Sequence, residues 1–187
     1  RIKNIFQKKT IYLNIISNNL SFNDVKRNLG KLKNSSEILY YANNYIRNNF
    51  FVNNEFEFIN EKLIEKNYSG KGFKCPLVHD YSTNKNLRLL WDKVRSHHLL
   101  TLYIAFLITK NNKYYKVLNK YIDILLKREN FLKNYLWGDA LNLSIRSLNI
   151  LSLLQILDTN DNILKKKLIE LYIINCEGIA VTRSNYS

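Results

Sequence analysis

Helix breakers are scarce in this chain, and that scarcity constrains its fold more than any other feature. Its 187 residues hold one Pro (Pro76) and five Gly, and between residues 87 and 176 the only breaker is Gly138. Through that stretch apolar residues recur at helical spacing, so sheet and loop readings are poor. The pattern predicts helices from about Leu87 to Thr109, Lys113 to Arg128, Asp139 to Leu157 and Ile163 to Cys176. In the second, Tyr114, Val117, Leu118, Tyr121, Ile122 and Leu125 form the apolar stripe. Asp158-Thr159-Asn160-Asp161 supplies capping residues for the fourth, and the glycines are read as breaks. Upstream, Ile11 to Asn19 and Ser35 to Asn48 also read as helices, the latter capped by Ser35-Ser36 ahead of Glu37.

Residues 49–86 differ. Phe50-Phe51-Val52 and Phe56-Glu57-Phe58 alternate as short strands do, which is compatible with one short hairpin. Tyr68-Ser69-Gly70-Lys71-Gly72 and Cys75-Pro76 then mark turns, so the segment reads as an irregular excursion within a single helical domain spanning 1–187. Helices this long joined by short turns imply antiparallel hairpins packed side by side. The fold class is therefore all-α, and periodicity leaves both a bundle and an α/α toroid open.

Charge points to a partner class only weakly. Lys and Arg number 29 against 15 Asp and Glu, a formal net charge of +14. The abundance of Asn, Lys, Ile and Tyr matches a genome rich in A and T, and the lysines are spread along the chain; solvated helix faces account for most of them. An anionic partner, either nucleic acid or acidic polysaccharide, is the alternative. Neither a zinc-finger spacing nor an aromatic RNA-binding signature supports nucleic acid. No apolar run reaches the roughly 20 residues that span a bilayer. Cys75 and Cys176 lack metal-ligand spacing and read as free thiols, and no metal or cofactor is expected.

Two predicted helices carry polar residues where a buried helix should not. On the third, Asp139, Asn142, Arg146 and Asn149 are spaced 3, 4 and 3 and share a narrow stripe amid Leu and Ile. A guanidinium there must find partners in a structural network or line a wet cavity. On the first, Trp91, Arg95, His98 and Leu102 are spaced 4, 3 and 4 on one face. An indole to stack on a sugar and a guanidinium to grip a carboxylate suit a sugar-acid ligand. The competing reading makes Trp91 core and Arg95 its tie to a carboxylate. His97 faces elsewhere and reads as structural.

The run Leu90-Trp91-Asp92-Lys93-Val94-Arg95-Ser96-His97-His98 resembles a segment of heparinase II/III-type polysaccharide lyases: Trp, an acid, two variable residues, Arg, then a hydrophobic helix. Thr109-Lys110-Asn111-Asn112-Lys113-Tyr114-Tyr115 is similar to a turn of that family, and Trp137-Gly138-Asp139 through Arg146 and Asn149 to its next Trp-led helix. Tyr41 to Phe50 adds a thinner likeness. The resemblance implies an incomplete α/α toroid, the N-terminal portion of a lyase that cleaves uronic-acid polysaccharide by β-elimination, and a periplasmic or secreted setting. It implies substrate contacts at Trp91, Arg95, His98, Trp137, Asn142, Arg146 and Asn149. Asn185 corresponds to a catalytic Asn, and the partners implied are an acidic polysaccharide and a C-terminal β-sandwich of the same parent chain. Two departures stand out. Asn142 replaces the family's acidic residue, and the catalytic Tyr and His would lie beyond Ser187, so this piece alone is expected to be inactive. A non-catalytic glycan-binding or scaffold domain is the alternative from a different class.

Overall fold

The computed structural model describes residues 35–52, 55–59, 93–127, 140–158 and 160–184. Those residues form α1 (Ser35–Ile46), β1 (Asn49–Val52), β2 (Glu55–Phe58), α2 (His97–Thr109), α3 (Asn112–Leu126), α4 (Ala140–Ile156) and α5 (Asn162–Ser184). Apart from one two-stranded sheet, the described structure is all-α. The helix expected at 11–19 lies outside the described residues.

The connections dictate the packing. Lys110 closes α2 in the left-handed region, its N–H donating to the Phe106 carbonyl at 2.7 Å, and Asn111 caps α3 by accepting from the Lys113 N–H at 3.0 Å. With so short a link, α2 and α3 fold back on each other. Asp161 caps α5 with one carboxylate oxygen on the Leu164 N–H (3.1 Å) and takes the Tyr115 hydroxyl on the other (2.7 Å). That residue fixes the start of α5 beside the start of α3. At the other end of the neighbouring pair, the Asp158 N–H donates to the Tyr103 hydroxyl (2.9 Å), laying α4 alongside α2.

Two layers result. Helices α2 and α4 run side by side in one direction, and α3 and α5 run side by side in the other. Asn43 accepts from Lys113 Nζ (3.1 Å) and the Tyr114 hydroxyl (3.0 Å), and Asn48 accepts from the Tyr121 hydroxyl (3.0 Å). These bonds set α1 parallel to α3, so α1, α3 and α5 make one layer and α2 and α4 the other. Sequence explains the division. α2 is buried from His98 to Ala105 without interruption, whereas α3 buries Tyr114, Leu118, Ile122 and Leu125 and exposes Lys113, Lys116 and Lys120.

The strands pair antiparallel with Asn49 opposite Phe58 and Val52 opposite Glu55, so the excursion does contain a hairpin. Asn48, in the left-handed region at φ 61°, turns the chain out of α1. Its carbonyl accepts from the Ile59 N–H at 3.1 Å, extending the ladder by one rung, and its side-chain amide donates to the Ile59 carbonyl at 2.7 Å.

Two helix boundaries differ from the sequence expectation. The first predicted helix is not continuous, because Ser96 sits at φ 61°, ψ 28° between a short helical turn at 93–95 and α2. The fourth does not stop at Cys176 but continues through Gly178 to Ser184. Gly178 is buried on the same face as Leu171, Ile174 and Asn175. There packing offsets the roughly 1 kcal/mol propensity cost of a mid-helix glycine.

Candidate functional site

Ser96 decides what its neighbours can reach. A left-handed residue rotates the chain, so the residues before and after it no longer follow helical spacing. The single face expected for Trp91, Arg95, His98 and Leu102 is therefore broken between Arg95 and His98. Ser96 is fully buried and its hydroxyl donates to the Val94 carbonyl at 3.1 Å, which helps hold a conformation that a non-glycine residue otherwise avoids.

Beside this joint lies a cluster built from two helices. Arg95 Nε donates to Asn142 Oδ1 at 2.7 Å. Asn149, two turns further along α4 on the same face, donates its amide to the Arg95 carbonyl at 2.7 Å. The same amide nitrogen lies 3.1 Å from His97 Nδ1. An amide has two N–H donors, so both contacts are satisfied when the His97 proton sits on Nε2. Asn149 thus bridges the residues on either side of Ser96. Arg95 and Asn149 are half-buried, Asn142 is buried and His97 is exposed, which places the cluster at the edge of the α2–α4 layer. His97, read from sequence as structural, belongs to it.

His98 goes the other way. It is 2% exposed, and neither ring nitrogen has a hydrogen-bond partner among the described residues. Rings of Tyr121, Phe50 and Tyr45 surround it at centroid distances of 4.5, 5.1 and 5.9 Å. Lys93, also buried, lies 5.3 Å from the Tyr121 ring centre and 5.8 Å from that of Phe50. Burial first, then Lys93 and His97, hold the imidazole well below its ordinary value, so it is neutral near pH 7. A neutral ring sealed between three helices and a hairpin is packing, and the substrate contact expected of His98 does not fit its position.

Arg146 forms a second, sealed cluster. Although it shares the α4 stripe with Asn142 and Asn149, it turns toward α5, where its Nε donates to Asn175 Oδ1 at 2.8 Å. Asn175 in turn donates to the Leu143 carbonyl (3.1 Å) and to the Ser147 hydroxyl (3.0 Å). Arg146 and Asn175 are both 0% exposed. Burial pulls the guanidinium below its ordinary value, and the amide oxygen helps it stay charged. Of the two readings the sequence left for Arg146, the structure fits the internal network. Asn175 could have been noticed as the one amide on the buried stripe of Leu164, Leu168, Leu171 and Gly178.

Trp91, Trp137 and Asn185 lie outside the described residues, as do Asp139 and Cys75. Cys176 is an exposed free thiol on α5. No group of His, Cys, Asp and Glu suited to a metal occurs among the described residues, and no described helix is long and apolar enough to cross a membrane.

No protein-family model, curated protein or solved structure matches the chain. Function therefore rests on the chemistry of the clusters themselves.

Proposed function

We propose that this chain is the helical portion of a polysaccharide lyase acting on uronic-acid polymers, and that the Arg95 cluster is where it meets a uronate carboxylate. One observation carries the reading. Arg95 and Asn142 come from the two segments that resemble the lyase family most, and they join through a 2.7 Å bond at a half-buried edge. A guanidinium beside the Asn142 carboxamide and an exposed imidazole is a donor set of the kind that meets a carboxylate. In β-elimination such donors stabilise the negative charge that builds up when the proton next to the carboxylate is removed. Antiparallel helical hairpins in two layers are compatible with part of an α/α toroid. A β-sandwich of the parent chain would complete the enzyme.

The test is calorimetric titration of a uronate tetrasaccharide into the protein, with unsaturated-uronate absorbance followed in parallel. Binding is expected, and the parent enzyme should generate the absorbance. Binding without elimination in the parent favours the glycan-binding or scaffold alternative. If the tetrasaccharide does not bind at all, both readings of the Arg95 cluster fail.

A further inference from the structure

Exposed apolar side chains gather on α4 and α5. Among the described residues nine large hydrophobic side chains are exposed, and seven of them belong to these two helices; α2 and α3 have none. On α4, Leu141, Leu148 and Leu151 are spaced 7 and 3 and form one stripe. Arg146, the only charged residue of that helix, is buried, so α4 presents no charge to water. On α5, Ile169, Ile173, Cys176 and Ala180 are exposed at spacings of 4, 3 and 4. Ile163 and Val181 lie off that stripe, near the ends of the helix.

The two stripes border one seam. Asn142 and Asn149 point from α4 to Arg95 and His97 at the start of α2, and Lys167 points from α5 to Asp123 of α3 at 2.7 Å. Both stripes lie on the sides turned away from those contacts, so together they make a single face across the α4–α5 pair. Leu148 is 60% exposed and Ile173 53%, and a continuous apolar face marks an interaction site where scattered leucines would not.

We propose that this face pairs with the same face of a second copy of the chain about a two-fold axis. A two-fold contact must be self-complementary, and the charges beside the stripe are. Lys166 and Glu177 are both exposed and lie three turns apart on one side of α5, flanking Ile169 and Ile173. An antiparallel α5–α5 contact centred midway between them brings each copy's lysine to the other's glutamate. The same point is the middle of the α4 stripe. Asn175 donates to the Leu143 carbonyl, which sets those two residues level on antiparallel helices. The midpoint of Lys166 and Glu177 then falls roughly half a turn from the level of Leu148. Leu148 thus meets its own copy at the axis, and Leu141 and Gln155, 7 residues to either side, face each other across it. A bilayer surface favours a basic rim, whereas Glu170 and Glu177 sit on this one. A further helical hairpin laid over the face would need no such symmetry.

The experiment is sedimentation equilibrium across micromolar to millimolar concentrations, with circular dichroism to follow folding. Wild type should sediment as a reversible dimer of the 22.3 kDa chain. Leu148→Lys, which places two ammonium groups at the axis, should keep its helical spectrum and weaken the dimer at least about a hundredfold. Lys166→Glu and Glu177→Lys should each weaken it by roughly threefold or more, and the double variant should regain most of that loss. Lys116→Glu, the same charge change on α3, should leave dimerisation unchanged. The proposal is overturned if wild type is monomeric throughout, the result expected when another stretch of the same chain covers the face. It is equally overturned if Leu148→Lys dimerises like wild type, or if the double variant is no tighter than either single one. The Arg95 cluster lies outside this face, so uronate titration and sedimentation succeed or fail independently.

Discussion

Helix α4 carries two guanidinium–amide clusters that look alike in sequence and differ in the fold. Arg146 meets Asn175 inside the α4–α5 interface, with both side chains wholly buried. Arg95 meets Asn142 at the edge of the α2–α4 interface, half-buried, beside a strained serine and an exposed histidine. The chemistry is the same, a guanidinium N–H on a carboxamide oxygen. Access separates them: a sealed cluster can only hold helices together, whereas one at an edge next to stored strain can also meet a ligand.

The largest effect that bears on this contrast is expected at Arg146. Arg146→Ala removes a fully buried side chain and leaves Asn175 Oδ1 without its donor; it should cost about 2–5 kcal/mol by chemical denaturation. Arg146→Met, which keeps most of the volume and removes the buried charge, should cost clearly less. If both variants were as stable as wild type, Arg146 would not be the tie between α4 and α5.

The neighbours His97 and His98 repeat the contrast one residue apart. Because folded His98 titrates well below 6.5, the unfolded chain binds more protons than the native one as pH falls through that value. Stability contributed by neutral His98 is complete above pH 6.5 and is lost progressively as pH drops below it. The melting temperature should therefore fall on acidification, and His98→Phe should flatten that slope. An unchanged slope in His98→Phe would remove the sealed cage from the account.

How much of this was legible in sequence depended on whether neighbours along the chain or across the fold decide the outcome. The α3 stripe of Tyr114, Leu118, Ile122 and Leu125 was legible because one period of apolar residues fixes which face is buried. The β1–β2 hairpin was suggested by its alternating aromatics for the same reason. Ser96 was not legible, since serine has no preference for the left-handed region and only the packing around it enforces that conformation. With it went the expected partnership of Arg95 and His98. The run of α5 past Gly178 was missed because helix propensity alone argues for a stop there, and burial against α4 overrides it. Asn142 and Asn149 were correctly placed on one stripe, but the stripe could not tell which residues would turn to α2 and which to α5.

The smallest effect concerns the joint itself. Ser96→Gly should be more stable than Ser96→Ala by roughly 0.5–1 kcal/mol, since both lose the hydroxyl and only glycine relieves the left-handed strain. Equal stability would mean that Ser96 stores no strain beside Arg95.

The division between the two arginines is tested most directly by uronate affinity in Arg95→Ala, measured by calorimetry beside its melting temperature. An affinity loss of about ten- to a hundredfold, roughly 1.5–3 kcal/mol for a charge-assisted contact, is expected with the melting temperature nearly unchanged. Arg95→Lys should recover only part of it, because an ammonium cannot reproduce the planar fork. A variant that keeps its uronate affinity while losing stability as Arg146→Ala does would show that Arg95, too, only holds helices together.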